Sequence, residues 1–185
     1  MIKKIFLIAA LVCLSAPAYA QFELGASYEL RDAEPQSGFG VRVQSGILES
    51  IPFVNLGIRA HFSYFSEENS IDAGGGFSYS ENLENYDFGL AAVGGVSVGL
   101  IEPYVGLGLG SESVDLKYKD FQGVGINPVD DDESNIYWNT FVGAKVTIIP
   151  LLKPFVEYRF TSRDIEIPNM DDKTGRIMFG VVLSL

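Results

Sequence analysis

The sequence predicts an all-β fold, an eight-stranded antiparallel up-and-down β-barrel that spans a membrane. Apolar and non-apolar residues alternate in stretches of about ten residues, which is the pattern of strands with two unlike faces. The connections between the stretches are alternately short and long, and glycines occupy many strand-centre positions on the non-apolar face. A tilted strand of about ten residues is long enough to cross a bilayer.

Eight stretches follow the alternation. In the first, Phe22, Leu24 and Tyr28 fall on one face, and Glu23 and Glu29 fall on the other. The stretches are residues 22–31, 38–48, 54–64, 85–99, a strand that begins at 104, and residues 136–148, 155–161 and 176–185. The fifth keeps its alternation through Gly110 and changes phase before Val114. This change predicts a β-bulge near Ser111 to Ser113.

The connections divide into two classes. Short turns follow strands two, four and six, around Pro52, Pro103 and Pro150 to Pro154. Longer polar loops are predicted at residues 32–37, 66–83, 119–134 and 162–175. In an up-and-down meander the short turns share one end and the long loops share the other, as in outer-membrane barrels.

A Pro-aromatic-Val tripeptide repeats every 51 residues, at Pro52, Pro103 and Pro154. Each copy lies where a short turn ends and a new strand begins. Proline is suited to the start of a strand because it has no N–H to donate to the ladder.

The first twenty residues predict a secretory signal peptide. MIKK is basic, IFLIAALVCL is apolar and too short to span a bilayer, and SAPAYA is a small-residue cleavage site that ends at Ala20. Residues 21–185 then form one barrel domain. The formal charge of −11 excludes nucleic acid as a partner, because phosphates require clusters of Lys and Arg.

A soluble β-sandwich would show the same alternation, and two observations favour the barrel over it. Glycines on the non-apolar face make room inside a narrow barrel, whereas they would weaken a solvated sheet. These are Gly40, Gly57, Gly89, Gly95, Gly106, Gly108, Gly143 and Gly180. Aromatic residues also gather near the ends of the apolar face, as interfacial girdles do. These are Phe22, Tyr28, Phe39, Tyr64, Tyr86, Trp138 and Phe179.

With this pattern, PYVGLGLG from Pro103 and PFVEYRF from Pro154 resemble the small outer-membrane β-barrel proteins of the OmpA/OmpX type, the porin-like barrel domain of Gram-negative bacteria. The resemblance implies the outer membrane, with its lipid and lipopolysaccharide, as the location. It also implies a C-terminal signal for the barrel assembly machinery, formed by Met178, Gly180, Leu183 and Leu185. The signal usually begins with a polar residue and ends with an aromatic one, so Met178 and Leu185 depart from it.

The inward positions carry both signs of charge. These residues are Glu23, Glu29, Arg42, Arg59, Asp87, Glu112, Lys145, Glu157, Arg159 and Arg176. Because a buried charge is costly unless it is paired, they are expected to form a salt-bridge network that fills the lumen. The alternative is a narrow channel for ions or small solutes, in which the pairs rearrange.

Two further motifs are candidate sites. His61 and Ser63 resemble the His-x-Ser pair of barrel lipid A deacylases, but they fall on the inward face and have no identifiable third group, so no enzyme activity and no cofactor are expected. The run Asp130-Asp131-Asp132-Glu133 could hold Ca²⁺, yet it lacks the spacing of an EF-hand loop and is expected to be solvated. The external loops are the expected place for a structural or surface-interaction role, with an extracellular ligand that the composition does not identify.

Overall fold

The computed structural model describes residues 22–48, 53–74, 77–122, 131–149, 151–163 and 173–185. Eight strands run through them: β1 (Phe22–Arg31), β2 (Ser37–Leu48), β3 (Val54–Gly74), β4 (Phe77–Val96), β5 (Ile101–Gln122), β6 (Asp131–Val146), β7 (Leu152–Arg163) and β8 (Lys173–Ser184). The predicted signal peptide at 1–20 and its cleavage site lie outside the described residues. Within the described part of the chain, no helix is long and apolar enough to cross a membrane.

The strands form one closed antiparallel barrel in the order β1 to β8. Closure is made by β1 against β8, from Glu23 opposite Ser184 to Arg31 opposite Arg176. Closure removes the free sheet edges that an open sheet would expose, which is a requirement for strands that cross lipid. The predicted fold class is therefore confirmed. The end that carries the connections after β2, β4 and β6 is called the turn end, and the opposite end the loop end.

Apolar side chains cover the outside of the barrel, and the core lies inside. On β5, Val105, Leu107 and Leu109 point outward and are 60%, 62% and 66% exposed, whereas Tyr104 next to them points inward and is 3% exposed. In a water-soluble protein this arrangement would leave a large apolar surface in water. The outer surface is instead suited to lipid, as the alternation predicts.

A row of aromatic side chains crosses five adjacent strands on the outer face. We call Phe179, Tyr28, Phe39, Tyr64 and Tyr86 the aromatic belt, because each is the register partner of the next across β8, β1, β2, β3 and β4. The rings of Tyr28 and Phe39 are 5.4 Å apart, and those of Tyr64 and Tyr86 are 5.1 Å apart. The belt has the position and composition of an interfacial girdle near the loop end.

Four strands continue beyond the belt. β3 has 21 residues, β4 has 20, β5 has 22 and β6 has 16, compared with 10 to 12 in the other strands. The predicted long loop at 66–83 is therefore wrong, because β3 continues to Gly74 and β4 starts at Phe77. The predicted loop at 119–134 is too long at both ends, since β5 ends at Gln122 and β6 begins at Asp131. We call residues 66–74, 77–84, 114–122 and 131–134 the outer sheet.

The predicted bulge at Ser111 to Ser113 is also wrong. These residues pair without interruption with β4 on one side and with β6 on the other. Val114 simply shares the inward parity of Glu112. Near the loop end the strand is leaving the region where lipid requires an apolar outer face, so the sequence alternation changes while the pairing does not.

The proline motif marks strand starts as predicted, with a shift of two residues. Pro103 is the third residue of β5 and pairs with Ala144, and Pro154 is the third residue of β7 and pairs with Val181. Pro52 and Pro150 lie outside the described residues.

Candidate functional site

The structure places all ten predicted lumen charges on the inner face and buries each of them. They form four layers of ion pairs between the turn end and the loop end. Three further charged residues join these layers: Arg31, Glu102 and Lys153. Glu102 and Lys153 directly precede Pro103 and Pro154, so the predicted strands, which began after the prolines, did not include them.

The turn-side layer has two cations and two carboxylates. Lys145 Nζ lies 2.9 Å from Glu23 Oε1 and 2.9 Å from Glu102 Oε1. Lys153 Nζ lies 3.5 Å from an oxygen of each carboxylate. Asn55 Nδ2 donates a hydrogen bond of 3.1 Å to Glu102. The opposite charges in this layer balance.

The next layer has three arginines around one carboxylate, and we call it the arginine layer. Glu157 Oε2 is 3.0 Å from Arg42 Nη1 and 2.5 Å from Arg59 Nη1, and it accepts a 2.9 Å hydrogen bond from the Tyr104 hydroxyl. Glu157 Oε1 is 3.0 Å from Arg159 Nη2. All four charged side chains are at most 8% exposed.

The Arg176 layer follows toward the loop end. Arg176 Nη1 is 2.6 Å from Asp87 Oδ2 and 3.1 Å from Glu29 Oε2. The Tyr137 hydroxyl donates to Asp87, and His61 Nε2 lies 3.1 Å from the same hydroxyl. This layer holds one guanidinium between two carboxylates.

The loop-side layer closes the series. Arg31 Nη1 is 2.9 Å from Glu112 Oε1, and Asn85 Nδ2 donates a 2.5 Å hydrogen bond to the same oxygen. Arg31 Nε also donates to the Pro35 carbonyl at 2.5 Å. Together the four layers bring charges from all eight strands into the lumen.

Aromatic rings fill the lumen between the charges, and alternation alone missed them. Each ring faces a glycine on the neighbouring strand: Phe141 faces Gly106, Tyr104 faces Gly143, Tyr137 faces Gly110 and Phe155 faces Gly180. A Cβ at Gly106 would overlap the Phe141 ring, and the other three glycines are similarly covered. A glycine opposite an inward aromatic residue is therefore the sequence signal for a ring that spans the lumen.

The rings also support the arginines. The Arg42 guanidinium carbon is 3.4 Å from the centroid of the Phe155 ring, and that of Arg59 is 4.7 Å from Phe141. Arg31 lies over Phe65 at 4.3 Å. Cation–π contacts strengthen when both groups are desolvated, so these side chains have little freedom to move apart.

The geometry is unsuited to acyl-ester hydrolysis at His61 and Ser63. The two residues are 4% and 1% exposed and face the lumen. Ser63 Oγ donates a 3.1 Å hydrogen bond to Glu29 Oε1, while His61 contacts Tyr137. A nucleophile must reach its substrate, and neither side chain reaches the lipid-facing surface.

The outer sheet carries a different, mainly acidic charge. Its charged residues are Glu67, Glu68, Asp72, Glu81, Glu84, Asp115, Asp120, Asp131, Asp132 and Glu133 against Lys117 and Lys119. Lys117 Nζ is 3.1 Å from Glu84 Oε2 and 3.8 Å from Asp115 Oδ2. The hydrogen bond from Lys117 lowers the pKa of Glu84, and the same bond raises the pKa of Lys117.

No group of three or more metal-ligating side chains is found among the described residues. Of the predicted acidic run, Asp130 lies outside them, and Asp131 to Glu133 are the first residues of β6.

Comparison with known proteins identifies the fold. The major outer membrane protein of Thermus thermophilus has a TM-score of 0.68 and 13% identity, covering 90% of this chain and 99% of its own. Neisserial surface protein A has a TM-score of 0.58 and 14% identity, with coverage of 90% and 97%. Ail of Yersinia pestis, in complex with the heparin analogue sucrose octasulfate, has a TM-score of 0.55 and 13% identity, with coverage of 90% and 97%.

These identities establish a shared fold and nothing finer. The outer membrane enzyme PagL is also similar, at a TM-score of 0.46 that carries no argument about chemistry. No curated protein matches the sequence. The outer membrane protein beta-barrel domain matches residues 6–184, which is nearly the whole sequence. The chain therefore belongs to the outer membrane protein beta-barrel domain family.

Proposed function

We propose that this protein is a non-conducting, non-enzymatic barrel that anchors an acidic recognition surface, the outer sheet, outside the cell. The observation that carries the proposal is the length of β3 to β6, which continue in paired strands beyond the aromatic belt. A paired sheet is a far more rigid platform than four separate loops would be. Rigid scaffolds that present surface segments are typical binding modules.

The closed lumen supports an anchoring role over the channel alternative. Arg59 is 0% exposed and Glu157 is 1% exposed, at mid-barrel. An eight-stranded barrel has room for its own side chains and little else. Conduction would require separation of buried ion pairs that are also held by aromatic rings, which is costly.

The outer sheet has two backbone edges available to a partner. On one side, pairing of β2 with β3 reaches Gly38 opposite Phe65, and the described residues of β3 beyond Phe65 pair with β4 alone. On the other side, pairing of β6 with β7 starts at Tyr137 opposite Arg163. An open edge can bind an extended peptide by strand addition.

Charge indicates the class of partner. Ail was solved with a heparin analogue, sucrose octasulfate, which is a polyanion. The outer sheet of this protein has an excess of carboxylates, so it would repel a polyanion and attract a cationic partner. We therefore assign it a cationic polypeptide rather than a heparin-like ligand.

The proposal is tested with the full barrel in lipid nanodiscs, against immobilised polylysine and immobilised heparin. We expect salt-sensitive binding to polylysine and none to heparin. Glu67→Gln with Glu68→Gln and Glu81→Gln should reduce polylysine binding severalfold. Glu34→Gln is the control, because Glu34 lies at the loop end but in the short connection after β1. Equal loss in the control, or heparin binding by the unaltered protein, would contradict the proposal.

We also propose that the C-terminal residues act as the assembly signal. Leu183 and Leu185 are 39% and 71% exposed on the outer face or end of β8, where a receptor strand can reach them. Met178 and Gly180 instead face the lumen, where Met178 packs with Phe155 and Val182. Leu185→Phe, which restores the usual aromatic end, should raise the amount of folded barrel in the outer membrane. Unchanged or lower amounts would argue against the assignment.

A further inference from the structure

Positive charge is not distributed evenly along the lumen. The turn-side layer has two cations and two carboxylates, and the loop-side layer has one of each. The Arg176 layer has two carboxylates and one guanidinium. The arginine layer has three guanidiniums and one carboxylate. The arginine layer therefore carries two surplus positive charges, and its neighbour compensates one of them.

Hydrogen-bond donors of the arginine layer are also unused. Nη2 of Arg42, Nη2 of Arg59, and Nε and Nη1 of Arg159 have no hydrogen-bond partner in the described structure. Both amide atoms of Asn139 are in the same condition. These four residues are at most 7% exposed. An unpaired buried donor on a charged group is costly, so a partner is expected at this position.

The unused donors belong to one compact group. Arg42, Arg59 and Arg159 all bond to Glu157. Arg59 and Arg159 lie over the same ring, with guanidinium carbons 4.7 Å and 5.3 Å from the Phe141 centroid. Asn139 is two residues from Phe141 on the same face of β6. The donors come from β2, β3, β6 and β7, so they surround the lumen at this height.

We propose that the arginine layer is a binding site for a small monovalent inorganic anion, with chloride as the probe. One negative charge would balance the arginine layer and the Arg176 layer taken together. Guanidinium and amide N–H groups are the donors that such an anion needs. Ring contacts from Phe155 and Phe141 hold the guanidiniums in place, so the site is formed before the anion arrives.

The first test is thermal unfolding of the refolded full-length barrel domain in detergent, at constant pH and constant ionic strength, with chloride exchanged for gluconate. The unfolded chain has no such site, so a bound anion stabilises the folded state alone. The unfolding temperature should rise with chloride concentration and stay level with gluconate. Equal unfolding temperatures in the two salts would overturn the proposal.

Variants locate the site. Arg159→Gln removes one guanidinium and should abolish the difference between chloride and gluconate. Lys153→Gln removes a lumen cation from the balanced turn-side layer and should preserve it. If both variants keep the difference, the arginine layer is not the site.

Bromide provides a direct measurement that does not depend on the folding of any variant. Crystals of the unaltered protein grown in bromide should show an anomalous peak within hydrogen-bond distance of Arg59 and Arg159. Peaks confined to exposed lysines such as Lys117 would mean an adventitious ion only, and would overturn the proposal.

Discussion

Glu157 is the residue on which the largest number of interior contacts converge. It accepts from three arginines and from Tyr104, and its side chain is 0% exposed. Removal of its charge would leave three buried guanidiniums facing one another. The energetic consequence should far exceed that of any surface pair.

Glu157→Gln is therefore expected to lower the free energy of unfolding by about 3–5 kcal/mol, the range for breaking a buried ion pair. Urea unfolding in lipid vesicles measures this change. Glu84→Gln is the matched control and should have a much smaller effect, since Lys117 at the other end of its pair is 43% exposed and the pair is screened by water. Similar losses of stability in the two variants would show that the lumen pairs contribute no more than surface pairs.

At the residue scale, alternation was sufficient to select inward charges and insufficient to find all of them. Parity identifies Arg59 or Glu157 because they lie inside regular stretches. Glu102 and Lys153 precede prolines, where the predicted strands had not yet begun. Inward rings such as Phe141 share their residue type with the lipid-facing side chains, so only the opposing glycine distinguishes them.

At the scale of strands, ring and glycine pairs join β5 to β6 through the lumen. Gly106→Ala would place a methyl group within the Phe141 ring, displacing the ring and the Arg59 guanidinium stacked on it. Overpacking of this kind costs about 1–3 kcal/mol. Gly94→Ala is the control, because the nearest atom to its Cβ would be Leu56 Cδ2 at 3.4 Å, an ordinary contact. The prediction fails if unfolding in urea shows the same stability for both.

The β4–β5 extension has a pH-dependent contact. The hydrogen bond from Lys117 lowers the pKa of Glu84 from the usual 4.5, so the folded state holds the ionised form more tightly than the unfolded state does. The contribution is therefore fully present above pH 4.5 and is lost as pH falls through the lowered pKa. An NMR titration of the Glu84 carboxyl carbon should give a midpoint below that of the Lys117→Gln variant. Identical midpoints would show that the pair does not form.

The extension of β3 to β6 was the main error in the predicted elements, and the cause is physical. Within the bilayer, lipid and lumen impose unlike environments on alternate residues, which makes the strands visible as a pattern. Beyond the aromatic belt both faces of the outer sheet tolerate polar residues, as in SEENS at 66–70. Backbone pairing persists there without any periodic signal.

For the whole molecule, the barrel and the outer sheet should be separable. Replacement of residues 67–83 with an Asn-Gly turn would connect Ser66 to Glu84, which are register partners. The belt, the lumen layers and the β1–β8 closure are untouched by this change. The shortened protein should keep its heat-dependent shift in SDS gels and lose binding to polylysine. Loss of the shift would mean that the barrel depends on the outer sheet.

The central claim is that the lumen is closed by its own charges and rings, and single-channel recording in planar bilayers tests it most directly. The account predicts no discrete conductance steps from the purified, folded protein, and none from Glu67→Gln as an outer-sheet control. Stable conductance steps that change in size with Arg59→Ala would contradict it, because they would show that ions pass through the arginine layer.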